Sequence, residues 1–128
     1  MAAKPRRPTE AELSILRVLW EGGPTSVRQV QRTLDKQRPT GYTTVLKLMQ
    51  IMTGKGFVAR DESVRPQIYR PRYSRQQTQR QLVTDLLQRA FGGSVRSLVL
   101  QALATRKPAP GDLDEMKRLL DRMEERDR

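Results

Sequence analysis

The chain of 128 residues contains neither cysteine nor histidine. Their absence excludes disulfides, thiol redox chemistry, thiolate or imidazole metal sites, and most acid–base catalysis by a group titrating near neutrality. Zero cysteine also fits a reducing compartment. Aromatics are scarce, with one Trp, three Tyr and two Phe. Hydrophobic residues make up 36% of the chain, enough for a modest helical core but lean for a large enclosed pocket at this size. No apolar run approaches the roughly 18 residues of a membrane span. The opening MAAKPRRP lacks the apolar core of a signal peptide. The expectation is a cytoplasmic protein without membrane insertion, built as one domain or two small ones sharing a core. No cofactor and no metal are expected. The remaining catalytic candidates, Asp61-Glu62 and Asp114-Glu115, are adjacent pairs whose side chains point mostly apart, so an enzyme is disfavoured.

What is abundant is positive charge. There are 25 Lys and Arg against 14 Asp and Glu, a net charge of +11. Such an excess favours a polyanionic partner, nucleic acid or an acidic membrane surface. Residues 1–73 hold fourteen basic and six acidic residues, and residues 74–128 hold eleven and eight. The front half is therefore the anion-facing candidate.

One stretch of that half lacks acid altogether: no Asp or Glu occurs from Thr40 to Lys55. Its apolar residues Val45, Leu48, Met49 and Met52 recur at the spacing of an amphipathic helix. The opposite face carries Thr43, Lys47, Gln50 and Gly54. Hydroxyls, an amide and an ammonium without a carboxylate suit the edges of base pairs and phosphates. An ordinary surface helix would show the same stripe, so the flanking elements have to decide.

Residues 1–8, with Lys4, Arg6 and Arg7, read as a flexible basic arm. Thr9-Glu10-Ala11-Glu12 is a capping box for a helix running to about Glu21, with Trp20 as a core anchor. Ser26-x-x-Gln29 opens a shorter helix that stops near Lys36. Thr40 is the expected cap of the acid-free helix, and Gly56 its stop. Three helices in this order, the third basic, form a helix-turn-helix. Phe57–Arg60 and Gln67–Arg70 are short β-prone runs around a polar turn, which predicts a hairpin wing with Arg65 near its tip.

Ser74-x-x-Gln77 starts a long helix broken by Gly92-Gly93. Ser94 caps a second helix, and Asp112 is the expected cap of a third. Their apolar positions include Leu82, Leu86, Leu87, Phe91, Leu98, Val99, Leu103, Met116, Leu119, Leu120 and Met123. Some fifty residues in three helices cannot bury such faces well within so small a unit, which leaves a second copy or, as the alternative, the same chain's front domain to cover them. A homodimer with interlocking C-terminal halves is the expectation. The fold class is thus mainly α: a winged helix-turn-helix over residues 9–73 and a three-helix dimerisation domain over 74–128. Duplex DNA is the expected partner, with Thr43, Thr44, Lys47 and Gln50 at base edges and nearby backbone. Arg28, Tyr42, Lys55 and Arg65 are candidates for phosphate contact. A small-molecule-gated winged-helix regulator and a basic RNA-associated protein remain the alternatives.

Six segments in order carry a family resemblance. They are Thr9-Glu10-x-Glu12-x-x-Ile15-Leu16-x-x-Leu19-Trp20, Gly23-Pro24-x-Ser26-Val27-Arg28-x-Val30, Tyr42-Thr43-Thr44-Val45-Leu46, Gly56-Phe57-Val58, Tyr69-Arg70-Pro71 and Gly93-Ser94-Val95-x-Ser97-Leu98-Val99. Together they resemble the penicillinase-repressor family of the BlaI/MecI/CopY type. The resemblance implies a dimeric repressor on a palindromic operator, often controlling β-lactam resistance genes. It also implies relief of repression through a membrane-bound sensor metalloprotease pathway that cuts an Asn-Phe bond. The matching position here is Gln101-Ala102, a departure from that bond. Ile51 and Gly54 stand where many members carry basic residues. The cysteine-rich tail of the copper-responsive members is absent.

Overall fold

The computed structural model describes residues 7–127, so Lys4 and Arg6 of the basic arm lie outside the described residues. Helix α1 spans Glu10–Gly22, α2 Val27–Asp35 and α3 Tyr42–Lys55. Strands β1 (Val58–Asp61) and β2 (Ile68–Pro71) follow, then α4 (Arg75–Phe91), α5 (Val95–Thr105) and α6 (Pro110–Arg126). This is the expected architecture, a winged helix-turn-helix followed by helices.

Helix starts follow local chemistry. The Thr9 hydroxyl accepts from the Glu12 amide at 3.2 Å while Glu12 Oε1 accepts from the Thr9 amide at 2.8 Å. Two otherwise orphaned donors are satisfied at once. Ser74 and Gln77 repeat the exchange at α4, at 2.8 and 3.1 Å. The Ser26 and Ser94 hydroxyls accept from Gln29 and Ser97 amides at the starts of α2 and α5.

Two expected caps are corrected. The N-cap of α3 is Gly41, without a side-chain bond. The Thr40 hydroxyl instead donates to the Arg38 carbonyl at 2.7 Å, and the Thr40 amide donates to Asp35 Oδ1 at 2.9 Å. Thr40 therefore fastens the connection between α2 and α3. Helix α6 starts at Pro110 with Ala109 as its N-cap. Proline's missing N–H costs nothing at the first helical position. Asp112 sits in the first turn, where its charge complements the helix dipole.

The apolar stripes of α1, α2 and α3 converge on one core. Ile15, Val30, Val45, Met49 and Met52 are fully buried there, with Leu19 and Tyr69 nearly so. Trp20 packs partly buried against this core. Its indole N–H donates to the Tyr73 carbonyl at 3.0 Å, so it holds the start of α4 rather than filling the centre. Gly56 ends α3 at φ 83°, a left-handed conformation that glycine adopts without Cβ strain. The Phe57 amide returns to the Met52 carbonyl at 2.9 Å, and the chain enters β1 directly.

Strands β1 and β2 pair antiparallel, Val58 opposite Pro71 and Asp61 opposite Ile68. Thr25 adds a short third rung to β2, exchanging both backbone bonds with Tyr69 at 2.8 and 3.1 Å. One compact unit ends at Leu82 and the other begins at Val83, both within α4. Thr78 of the first turns of α4 is buried within the first unit. In the second unit neither α5 nor α6 has a buried residue. Among the described residues no helix is long and apolar enough to cross a membrane.

Candidate nucleic-acid interface

Helix α3 buries one side and exposes the other, as its spacing requires. Val45, Met49 and Met52 are at 0% exposure, while Thr43, Thr44, Lys47, Gln50 and Gly54 are exposed. Thr43, Lys47, Gln50 and Gly54 recur at i, i+4, i+7 and i+11, so they form a single ridge. Ile51, exposed, flanks it. A Cβ at Gly54 would meet nothing within 4 Å, so that point of the ridge is open. The ridge offers a hydroxyl, an ammonium and an amide, with the Thr44 hydroxyl beside it, and no carboxylate. These groups can donate to and accept from base edges.

Arg28, at the start of α2, lies over the Tyr42 ring with its guanidinium carbon 4.1 Å from the ring centroid. The stack joins two candidates that lie far apart in sequence. It presents a cation and a phenol at the first residue of α3, beside helix amides that favour an anion. Arg65 lies in the exposed turn between β1 and β2. That turn is organised by Asp61, whose Oδ1 accepts from the Ser63 amide at 2.9 Å and from its hydroxyl at 2.6 Å. The Ser63 bonds, from hydroxyl and amide, hold the Asp61 carboxyl below its ordinary value. Arg60 pairs with Glu62 on the same hairpin.

Lys55 is placed differently from the expectation of a phosphate contact. Its ammonium donates to both oxygens of Glu12, at 3.0 and 3.1 Å, and its side chain is 21% exposed. The reason is burial: Glu12 is 1% exposed, and a carboxylate taken from water needs a cation and donors. The pair spans 43 residues of sequence. Only the box position of Glu12 and the acid-free environment of Lys55 hinted at it.

In the second unit, Leu86, Val99, Leu103, Leu119, Leu120 and Met123 are exposed, along with Val83, Val95 and Leu100. Leu82, Leu87, Phe91, Leu98 and Met116 are half-buried. Gln101 and Ala102 are exposed within the helical run of α5. Among the described residues no group of acidic side chains could hold a metal ion.

Comparison with known proteins agrees with this geometry. Residues 8–122 match the family model described as Penicillinase repressor. Two curated relatives, each described as "Transcriptional regulator BlaI", come from two strains of Mycobacterium tuberculosis. Each is 29% identical over 123 residues, covering 95% of this chain and 88% of the relative. An acid-free helix ridge, a wing behind it and a family match along nearly the whole length lead to one conclusion: the chain belongs to the penicillinase repressor family and is a DNA-binding transcriptional regulator, not an enzyme.

Proposed function

We propose that the chain works as a homodimer that binds a palindromic operator in duplex DNA and represses transcription by occlusion. The observation that carries this reading is the exposed, acid-free ridge of α3. Lys47 and Gln50 are the base-reading candidates, Lys for guanine and Gln for adenine, with the Thr43 and Thr44 methyls suited to thymine. Arg28, Tyr42 and Arg65 are the phosphate candidates, and phosphate contacts set register rather than sequence. Two copies of α3 would enter major grooves on one face of the duplex, about 34 Å apart or a multiple of that.

The homodimer is supported by the apolar side chains left open on α5 and α6. A second copy covers such a self-complementary face symmetrically. A cytoplasmic location goes with this role. Genes of β-lactam resistance or stress response are the regulated class that the family likeness suggests. Relief by cleavage at Gln101-Ala102 in a membrane sensor protease pathway belongs to the same likeness. The bond lies within α5, so a protease would act only after that helix opens. A pocket lined by Leu16, Phe57, Tyr73 and Thr78 encloses about 10 Å³. That is room for one water, and it offers nothing to the small-molecule-gated alternative.

Footprinting on the region upstream of the chain's own gene, paired with sedimentation, tests the proposal. The expected result is a protected palindrome and a dimer. A chain ending at Leu82, which keeps the docked start of α4, should sediment as a monomer and protect weakly. Tighter binding to RNA than to any duplex would replace the reading with the RNA-associated one.

A further inference from the structure

We propose that Lys55 is a positioning residue of α3: through buried Glu12 it fixes the C-terminal end of α3 against the N-terminal turn of α1, and it touches no phosphate. The inference rests on the proposed reading of α3 as the DNA-facing helix and deepens it. The Glu12 carboxylate accepts three bonds, one from the Thr9 amide at 2.8 Å and two from Lys55 at 3.0 and 3.1 Å. With Glu12 at 1% exposure, departure of the ammonium would strand a buried charge on a single donor, which is strongly unfavourable. A Lys55 that swung out to a phosphate would carry that penalty into every binding event.

The pair also sits where both helix dipoles favour it. Glu12 lies in the first turn of α1 and Lys55 in the last turn of α3, so each charge meets the helix end of opposite sign. The Lys55 ammonium lies 5.8 Å from the Phe57 ring centroid, and Phe57 is itself buried. One end of α3 is thus held by an ion pair and by the turn that feeds β1. Thr43, Lys47 and Gln50 share that helix, so a shift of its end changes how all three meet base edges. Attraction of the other cations to phosphate does not depend on that alignment.

The test uses the full chain, wild type and with Lys55→Met, Lys55→Arg or Glu12→Gln. Each is titrated at several salt concentrations against two duplexes: the upstream segment that wild type protects, and a shuffled duplex of the same composition. Lys55→Met should weaken binding to the protected segment about tenfold, comparable to one lost base contact. Its affinity for the shuffled duplex, and the salt slope there, should stay at wild-type values. Lys55→Arg should restore the preference. Glu12→Gln retains the lysine and an acceptor for Thr9, yet should lower the preference in the same direction. A salt slope reduced by about 0.9 for each protomer in Lys55→Met, with preference unchanged, would mark Lys55 as a phosphate contact and overturn the inference. So would Glu12→Gln with a preference within about twofold of wild type, a change smaller than one mismatched base pair. That second variant decides alone should Lys55→Met fail to fold. If wild type prefers no upstream segment, the operator reading falls, while the slope on the shuffled duplex still decides whether Lys55 touches phosphate.

Discussion

The helices of the first unit and those of the second carry apolar stripes of the same kind and end in opposite states. In α1, α2 and α3, Ile15, Val30, Val45, Met49 and Met52 are at 0% exposure. In α6, Leu119, Leu120 and Met123 are 50%, 61% and 54% exposed, and α5 has no buried residue. The first three helices find cover in one another and in the hairpin. The last two leave their apolar side chains open within this chain. Amphipathic spacing therefore says which face needs cover and is silent on what supplies it. In the first unit the chain itself does so, and in the second we assign the task to another copy.

Substitutions that separate these two kinds of apolar surface test the contrast. The largest effect is expected at Leu120. Leu120→Asp should weaken the dimer by about 3–6 kcal/mol, because a symmetric interface loses the side chain twice. The folded first unit should be unaffected. Sedimentation over a concentration series reads the change, and a dimer of wild-type affinity would remove α6 from the interface. Met49→Ala belongs to the closed core and should lower unfolding stability by about 2–5 kcal/mol, independently of protein concentration. Denaturant melts at two concentrations separate the two cases, and a concentration-dependent loss would erase the distinction.

Smaller effects lie on the open ridge. Gln50→Ala or Lys47→Ala should cost about 1–3 kcal/mol on the protected duplex and little on a shuffled one. Equal losses on both would reduce these residues to general attraction. Gly54→Lys should do the reverse. A Cβ there meets nothing within 4 Å, so the added cation should steepen the salt slope by about 0.9 for each protomer while leaving preference unchanged.

The smallest effect concerns the wing. The folded Asp61 carboxyl titrates below its ordinary value because Ser63 donates to it. A depressed carboxyl contributes stability above its unfolded value, about 3.9, and loses it as pH falls through the lower folded value. Protection of the Ser63 amide, relative to its intrinsic exchange rate at the same pH, should fall over that acid range, and Asp61→Asn should flatten the dependence. An unchanged profile in the variant would assign the acid sensitivity elsewhere.

Much of the first unit was legible because its signals are local. Thr9 with Glu12 and Ser74 with Gln77 announce helix starts within four residues, and the bonds form as the pattern requires. Local signals also misplaced two starts. Thr40 has the right hydroxyl for a cap, but the connection from α2 engages it first. Asp112 has the right carboxylate, but Pro110 already begins the helix. The partner of Lys55 was only hinted at by the box position of Glu12. Its charge suggested a phosphate, and only folding brought Glu12 within 3.0 Å. The Thr25–Tyr69 rung was missed for the same reason, since a single bridge has no periodicity to detect.

The amino-acid order by itself determined the helices, the hairpin, the acid-free ridge and the family, because spacing, capping and charge act over a few residues. Tertiary structure alone decided which cations remain open. It stacked Arg28 on Tyr42 and left Lys47 on the exposed ridge, but drew Lys55 inward to Glu12. The physical reason is desolvation: a carboxylate buried by the packing of α1 demands a partner, and the cation at the end of α3 is the one that packing supplies.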